Sequence, residues 1–405
     1  MARLDSTIVR ISTVLLGRIP NILFLEVETA DGLIGLGETL FGAEAVSAYV
    51  HETAAPFLLG QDARDIPRLW GALYRYWGRS GIGAEARGAS AVDIALWDIA
   101  GKRTGQPLYQ TLGGAAREDI AAYNTCGGPE YSRKRGIPGD KLFGSVVPGG
   151  RHEDLWAFQH EPAELAHSLL DMGFGAMKIW PFDVIADETG GNWISPRDLD
   201  RGLDPFRRIR DAVGDEMQVA LELHGRWNLP AAVRIAKAME PLAPMWIEDP
   251  IRMDSIDVLA EFVRSTTIPT VASENLGSPF PYRDLLERAG VGIIMTDPSW
   301  NGGISVARRV ADLAALHLRP FTPHDCSGPV TLATGVHLCI NAENALIQEM
   351  VRAYYFGWYE EVASGLPTFE AGRLRPTGAP GHGVSLRPEV RGWDDTMMRT
   401  SRLSG

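Results

Sequence analysis

Three glutamates stand at equal spacing, each at the end of a short apolar run. Glu222 ends MQVALE, Glu248 ends MWIE and Glu274 ends TVASE, so their positions differ by 26 residues each time. If one interval is one strand plus one helix, the three carboxylates meet at the same end of a parallel sheet. Like charges so close raise one another's pKa, so three ionised carboxylates need a cation. An all-oxygen ligand set favours Mg²⁺ over zinc.

Two histidines lie at the same strand ends. Glu222 and His224 are two positions apart, which places both side chains on one face of a strand. A polar strand-to-helix junction is the structural alternative for this pair. Asp297 and His324 end two later runs, and a carboxylate beside an imidazole fixes its tautomer and raises its basicity, as a general base requires. Glu349, at the end of the last run, either hydrogen-bonds a substrate oxygen or caps the barrel.

The elements that must position these residues form a regular series. After Gly114, short apolar runs alternate with helical patterns, which is typical of a parallel β/α barrel. A doubly wound open sheet is the competing architecture, but no glycine-rich phosphate loop follows any of the runs. The eight predicted strands are 120–125, 176–180, 217–224, 245–250, 270–275, 291–298, 318–324 and 345–350.

The residues before the barrel have a different pattern. Apolar and polar residues alternate over 7–38, with Asp31-Gly32 supplying a tight turn, and this predicts an antiparallel meander. Helical patterns follow at 42–60, 66–78 and 87–104. The first part of the chain is therefore predicted to be an α+β unit.

Composition excludes several classes of partner. The chain has 405 residues, of which 45% are hydrophobic, and 51 acidic against 39 basic residues give a net charge of −12. Nucleic acid and anionic membrane are poor partners for such a chain. The N-terminus has neither the pattern of a signal peptide nor that of a transmembrane helix. Three cysteines without CxxC spacing argue against a disulfide framework or a zinc site, and we predict a cytoplasmic protein.

The set of strand-end residues resembles a known family. Lys178, Glu222, Glu248, Glu274, Asp297, His324 and Glu349 look like the mandelate racemase and muconate-lactonizing branch of the enolase superfamily. SAVDIALWDIAGKRTGQPLYQTLGG (90–114) is similar to the helix that closes the family's capping domain. The superfamily uses a lysine or histidine base with Mg²⁺ to stabilise an ene-diolate. The resemblance therefore implies that Glu222, Glu248 and Glu274 bind Mg²⁺.

The resemblance also implies an architecture. We expect a modified TIM barrel of the (β/α)7β type, with an N-terminal α+β capping domain that the C-terminal tail completes. The predicted boundaries are 1–118 for the capping domain, 119–365 for the catalytic barrel and 366–405 for a segment that packs on the capping domain. Barrels of this family are commonly homo-oligomers. The long segments 126–160 and 181–198 follow barrel strands, where they serve as lids or as oligomer contacts.

Departures from the family pattern bear on the reaction. Racemising members usually carry Lys-x-Lys on the second strand, but this chain has Lys178-Ile179-Trp180, so one of two opposed bases is missing. His224 resembles the general acid of the family's acid-sugar dehydratases, in which a histidine follows the first metal ligand by two residues. That first ligand is more often Asp than the Glu222 found here, which leaves the substrate open.

The sequence thus predicts dehydration of a sugar acid, an aldonate or an aldarate, to a 2-keto-3-deoxy acid. His324, oriented by Asp297, takes the proton from C2, and His224 protonates the departing 3-hydroxyl. Lys178 contacts or polarises the substrate carboxylate. Further candidates for substrate binding are Trp180, Arg226, Tyr131 and Asn124.

Two alternatives remain at this point. A cycloisomerase acting on a sugar lactone or a muconate-like diacid would keep the metal and the base but would need no acid at a β-hydroxyl. The second alternative is a non-catalytic barrel that serves as a binding protein.

Overall fold

The computed structural model describes residues 5–77, 81–131 and 151–404. Its N-terminal part is built on an antiparallel sheet with strand order β16-β1-β2-β3, as the alternating pattern predicts. The turn between β2 and β3 uses Gly32 at a positive φ of 84°, which a glycine adopts without steric cost. The strands are β1 (Ile8–Leu16), β2 (Ile19–Thr29), β3 (Ile34–Leu40) and β16 (Thr396–Arg402).

Helices pack against one face of this sheet. The long helix α4 lies so close to β3 that a Cβ on Gly37 would stand 1.9 Å from the Ala91 carbonyl oxygen. Glycine in β3 therefore permits the close packing of this helix on the sheet. The helices are α1 (Ala43–Tyr49), α2 (Ala55–Leu58), α3 (Ile66–Trp77), α4 (Ala84–Thr104) and α5 (Leu108–Thr111), with a π-helical turn at Val50–Ala54.

The second part of the chain is a β/α barrel, and every predicted barrel run contains a strand. Neighbouring strands pair in parallel from β4 to β10, and β11 pairs with β4. A parallel bridge between Phe321 and Ala345 connects β10 with the residues just before β11. The strands are β4 (Ile120–Thr125), β5 (Ala176–Ile179), β6 (Gln218–Glu222), β7 (Ile247–Glu248), β8 (Thr270–Ala272), β9 (Ile293–Thr296), β10 (Phe321–Pro323) and β11 (Gln348–Met350).

Helices follow the barrel strands in sequence. Among the described residues, two of them begin with a side-chain cap: Ser195 accepts a hydrogen bond from the backbone N–H of Asp198, and Asn228 accepts one from that of Ala231. The helices are α6 (Asp154–His160), α7 (Pro162–Asp171), α8 (Asp183–Thr189), α9 (Pro196–Val213), α10 (Leu229–Met239), α11 (Ile256–Ser265), α12 (Pro279–Asp284), α13 (Ile304–Leu316), α14 (Pro329–Asn341), α15 (Arg352–Tyr354) and α16 (Glu360–Val362). Short 3₁₀ turns lie at Glu240–Leu242 and Pro388–Gly392, and π turns at Leu285–Ala289 and Tyr355–Tyr359.

The C-terminal segment contacts both parts of the molecule. Its last strand, β16, pairs with β1 along Arg10 to Leu16. Before that, β13 (Thr368–Glu370) and β14 (Arg373–Arg375) form a hairpin that pairs with β4, and β12 (Ala363–Ser364) pairs with β15 (Ser385–Leu386). The segment therefore links the N-terminal sheet to the barrel.

Buried carboxylates dock the N-terminal part on the barrel. Glu38 of β3 accepts hydrogen bonds from the backbone N–H groups of Val330 and Thr331 at the start of α14, at 3.0 and 2.9 Å. Asp93 of α4 accepts from the backbone and hydroxyl of Ser305 at the start of α13, at 2.9 and 2.6 Å. These contacts satisfy helix N-termini on the side where the barrel strands end.

Among the described residues, no helix is both long enough and apolar enough to cross a membrane.

Candidate active site

A cavity of about 290 Å³ lies between the strand ends of the barrel and the N-terminal part. Eight of the twelve predicted site residues line it, and Asp297 and Glu248 lie behind its wall, in contact with His324 and Lys178. The lining residues are Leu40, Phe41, Arg87, Thr125, Tyr131, Lys178, Trp180, Glu222, His224, Glu274, Asn275, Trp300, His324, Cys326 and Glu349.

His324 and Asp297 form the predicted pair. His324 Nδ1 lies 2.9 Å from Asp297 Oδ2, and Asp297 also accepts hydrogen bonds from Ser299 and from the Ser327 hydroxyl. A carboxylate held by so many donors fixes the imidazole in the tautomer with the proton on Nδ1. His324 Nε2, which lies 3.9 Å from Glu349 Oε2, is the nitrogen that remains for proton exchange.

Lys178 is buried among carboxylates. Its Nζ lies 2.6 Å from Glu248 Oε1, 2.9 Å from Glu349 Oε1 and 3.7 Å from Glu222 Oε2. Burial alone would lower the pKa of Lys178, but Glu248 and Glu349 outweigh burial and raise it well above the usual value. Burial alone would raise the pKa of Glu349, but the charges of Lys178 and then His324 outweigh burial and lower this pKa to about 2. Lys178 is therefore a cation held in the acidic cluster.

The surroundings of two predicted metal ligands, Glu222 and Glu274, disfavour their negative charge in the absence of a cation. Burial, followed by the charge of Glu248, raises the pKa of Glu222 well above its usual range. Burial, followed by the charge of Asp249, raises the pKa of Glu274 to about 8. Glu274 Oε2 is buried without a hydrogen-bond partner among the described residues. Buried carboxylate oxygens of this kind suit a hard cation such as Mg²⁺, so the residues fit the predicted group.

The three glutamates are not the residues whose possible metal-ligand atoms lie closest together, however. In the described part of the chain, the set of ligand atoms that all lie within 4.8 Å of one another belongs to His324, Cys326 and Glu349.

His224 is paired with an acidic residue that the sequence analysis did not single out. His224 Nδ1 lies 2.7 Å from Asp183 Oδ2, and Asp183, at the start of α8, is fully buried. The ring of Trp180 stands edge-on to the His224 ring, with centroids 5.7 Å apart. With Nδ1 engaged by the carboxylate, Nε2 of His224 is the nitrogen that can exchange a proton with a ligand.

Two predicted substrate contacts lie elsewhere. The Asn124 side chain in β4 does not line the cavity. It donates a hydrogen bond to Asp154 at 2.9 Å and accepts one from the backbone N–H of Arg352 at 2.9 Å. The structure corrects this prediction, because side chains alternate along a strand and Thr125 is the residue that faces the cavity. Arg226 is likewise not among the lining residues and forms ion pairs with Asp183 and Asp187.

Most of the segment 126–160, predicted to be a lid or an oligomer contact, lies outside the described residues, because residues 132–150 are not described.

The N-terminal part supplies cavity residues that the sequence analysis did not name individually. Leu40 and Phe41 follow from the end of β3, and Arg87 comes from the first turns of α4. Arg87 belongs to the stretch 78–88, which the sequence gives as GRSGIGAEARG, between two helical patterns. Such a Gly-rich connection is a place for functional residues, but nothing in it distinguishes one arginine from another.

Two family models match the chain. The enolase C-terminal domain-like model matches residues 161–390, which is more than half of the chain, and the N-terminal domain model of mandelate racemase and muconate lactonizing enzyme matches residues 12–113. The chain belongs to the mandelate racemase and muconate-lactonizing branch of the enolase superfamily. The capping domain and (β/α)7β barrel of this superfamily are thus the fold of the chain, as predicted.

Relatives and solved structures agree with this assignment. The chain is 30% identical over 378 residues to D-galactonate dehydratase of Pectobacterium atrosepticum, covering 92% of this chain and 90% of the relative. It is 30% identical over 374 residues to D-galactonate dehydratase of Ralstonia nicotianae, covering 91% and 89%. A crystal structure of an enolase of the mandelate racemase subgroup from Agrobacterium tumefaciens is 42% identical, with a TM-score of 0.87 and coverage of 98% and 99%.

Proposed function

We propose that the protein dehydrates a sugar acid, an aldonate or an aldarate, to a 2-keto-3-deoxy acid. The observation that carries the proposal is the placement of two histidines on one cavity, each with its own buried carboxylate. His324 is bonded to Asp297 at 2.9 Å and His224 to Asp183 at 2.7 Å. Removal of water across C2 and C3 needs one group to take a proton and another to give one.

His324 is the proposed base. Asp297 holds Nδ1, so Nε2 accepts the C2 proton of a substrate whose carboxylate lies near the acidic cluster. The imidazolium that forms is stabilised by Asp297 and by Glu349, whose Oε2 lies 3.9 Å from Nε2. Loss of the proton leaves an enediolate form of the substrate, in which negative charge has moved onto the carboxylate oxygens.

His224 is the proposed acid. Its Nε2 donates a proton to the 3-hydroxyl, the C3–O bond breaks, and water leaves while the C2–C3 double bond forms. The resulting enol then becomes the 2-keto product by moving its hydroxyl proton to C3. Asp183 keeps His224 in the required orientation through its contact with Nδ1.

The remaining residues bind and orient. In this proposal Lys178 interacts with the substrate carboxylate. Trp180 and Tyr131, whose ring centroids lie 5.8 Å apart, line the cavity beside His224. Glu222, Glu248 and Glu274 would hold Mg²⁺, which when bound supplies Lewis-acid stabilisation for charge on the substrate carboxylate. A small-molecule acid is thus the proposed partner, and a homo-oligomer stays a prediction.

Dehydration is favoured over cycloisomerisation by the His224–Asp183 pair. A cycloisomerase on the same site would need a base and a cation but no acid aimed at a β-hydroxyl. Curated relatives named D-galactonate dehydratase, at 30% identity over about nine-tenths of the chain, support the same choice.

The test is a screen of the Mg²⁺-loaded protein against a stereochemically complete set of hexonic, pentonic and hexaric acids. Formation of 2-keto-3-deoxy product is measured by carbonyl derivatisation. We expect at least one acid to react, and we expect His324→Asn and His224→Asn to lose about 10²-fold or more of the rate. Absence of product from every acid, with the protein folded and the cation bound, would contradict the proposal. A lactone formed or opened without loss of water would instead support cycloisomerisation.

A further inference from the structure

Arg87 is a buried cation in the capping-domain wall of the cavity. Its side chain rises from α4 and is only 8% exposed. Its Nε donates to the carbonyl oxygen of Ile82 at 2.9 Å, and its Nη1 donates to that of Leu40 at 2.5 Å. Its guanidinium lies over the ring of Trp300, with the central carbon 4.3 Å from the ring centroid. These contacts fix the position of the guanidinium but do not neutralise its charge.

Within the described ranges, Arg87 has no carboxylate as an ion-pair partner. Among the residues that the structure describes, none forms an ion pair with Arg87 and none accepts a hydrogen bond from its Nη2. The carboxylate that contributes to its electrostatics is Asp297, whose oxygens already accept bonds from His324, Ser299 and Ser327. Burial lowers the pKa of Arg87 to about 10, so it stays charged at neutral pH. A buried charge without a partner is costly, which favours an anion supplied by a ligand.

The position of Arg87 suits the distal end of the proposed substrate. The Trp300 ring contacts both groups, with its centroid 4.3 Å from the central carbon of the Arg87 guanidinium and 5.1 Å from the centroid of the His324 ring. Lys178 and the three glutamates rise from the barrel strands, whereas Arg87 comes from the capping domain. The cavity thus has a cation on each of the two parts that enclose it.

We infer that Arg87 binds a second carboxylate at the distal end of the substrate, which makes the substrate an aldarate and not an aldonate. This inference rests on the proposed function and narrows it. A guanidinium offers parallel N–H donors that match a carboxylate in geometry. An aldonate would place a neutral hydroxymethyl group there and would leave the buried charge unpaired.

The experiment compares matched acids that differ only at the distal carbon. Each hexonate of the panel is paired with the hexarate of the same configuration, and kcat and KM are measured for both with the Mg²⁺-loaded protein. We expect kcat/KM for the preferred hexarate to exceed that of its hexonate by about 100-fold or more. Arg87→Gln should reduce this ratio at least tenfold, chiefly through KM, and Arg87→Lys should give an intermediate ratio because it keeps the charge and loses the fork.

A matched control separates substrate binding from a structural role. Arg117 is also held by backbone carbonyls, those of Cys339, Ala342 and Glu343, and is not a cavity residue. Arg117→Gln should lower the melting temperature without changing the hexarate-to-hexonate ratio. If Arg87→Gln behaves in the same way, or if the wild-type protein treats both acids alike, the inference is wrong.

A second readout keeps this inference separate from the proposed function. The increase in melting temperature on adding each acid is measured without following turnover, since a ligand that binds the folded state stabilises it. We expect a larger increase with hexarates than with hexonates in the wild type, and the difference should vanish in Arg87→Gln. Failure of all acids to react, with this difference intact, would overturn the dehydratase and leave the Arg87 site standing. An equal increase with both classes would overturn the Arg87 site.

Discussion

Replacing Lys178 by methionine removes the one cation that contacts three buried carboxylates in the described structure. The Lys178 side chain is 3% exposed, and its ammonium lies 2.6 Å from Glu248, 2.9 Å from Glu349 and 3.7 Å from Glu222. Breaking a buried ion pair by removing one partner costs about 3–5 kcal/mol, because the other charge stays buried and unpaired. At pH 8 in EDTA, we therefore expect the free energy of unfolding of Lys178→Met to fall by about that amount.

Mg²⁺ should reverse part of this loss. With the ammonium gone, the carboxylates attract a cation more strongly, so millimolar Mg²⁺ should stabilise Lys178→Met more than it stabilises the wild type. Urea unfolding with and without Mg²⁺ measures both quantities. Arg352→Met is the matched control, because Arg352 is equally buried and its Nη2 lies 2.7 Å from Asp154 Oδ1, outside the cavity. That variant should lose stability with no change in the Mg²⁺ increment. An undiminished stability of Lys178→Met, or equal Mg²⁺ increments in variant and wild type, would refute the reasoning.

Three further predictions concern other parts of the molecule. Burial lowers the pKa of His51 from 6.5 to about 4. The contribution of the neutral His51 to stability is therefore present above pH 6.5 and is lost as the pH falls through about 4. The free energy of unfolding, measured across this pH range, should depend less on pH in His51→Gln than in the wild type. Gly37→Ala drives a Cβ to 1.9 Å from the α4 backbone, so the free energy of unfolding should fall by about 3 kcal/mol or more. In the same denaturation assay, the control Gly71→Ala should be neutral or stabilising, because no atom lies within 4 Å of the added carbon. Asp183→Asn removes the carboxylate 2.7 Å from His224, so kcat for dehydration should fall tenfold or more because the ring loses the group that orients it; an unchanged kcat would argue against His224 as the acid.

Periodicity explains why the strand ends could be predicted from sequence. Each barrel unit repeats a strand and a helix, so residues at the end of each apolar run share one face of the barrel. Glu222, Glu274 and His324 reach the cavity for this reason. The same alternation explains the error at Asn124, because a shift of one residue along a strand turns the side chain to the opposite face, and Thr125 takes its place.

Contacts between distant segments could not be predicted in this way. Arg87 reaches the cavity because α4 packs on β3 and β3 in turn docks on α14 through Glu38. Asp183 meets His224 because α8 begins beside the end of β6, although 41 residues separate the two in sequence. Neither relation has a period or a local signature, so only the packed chain reveals them.

The charges around His324 bear on its proposed role as the base. Burial alone would lower the pKa of this imidazole, but Glu349, Asp297 and Glu274 outweigh burial and raise it to about 10. The imidazole of the protein alone is therefore protonated at neutral pH, whereas a base must be neutral to accept a proton. The same carboxylates attract cations, and positive charge placed among them lowers the pKa of His324 by Coulomb repulsion. A cation bound among these carboxylates would therefore do two things, since it would hold the substrate carboxylate and would also favour the neutral imidazole that the proposed base requires.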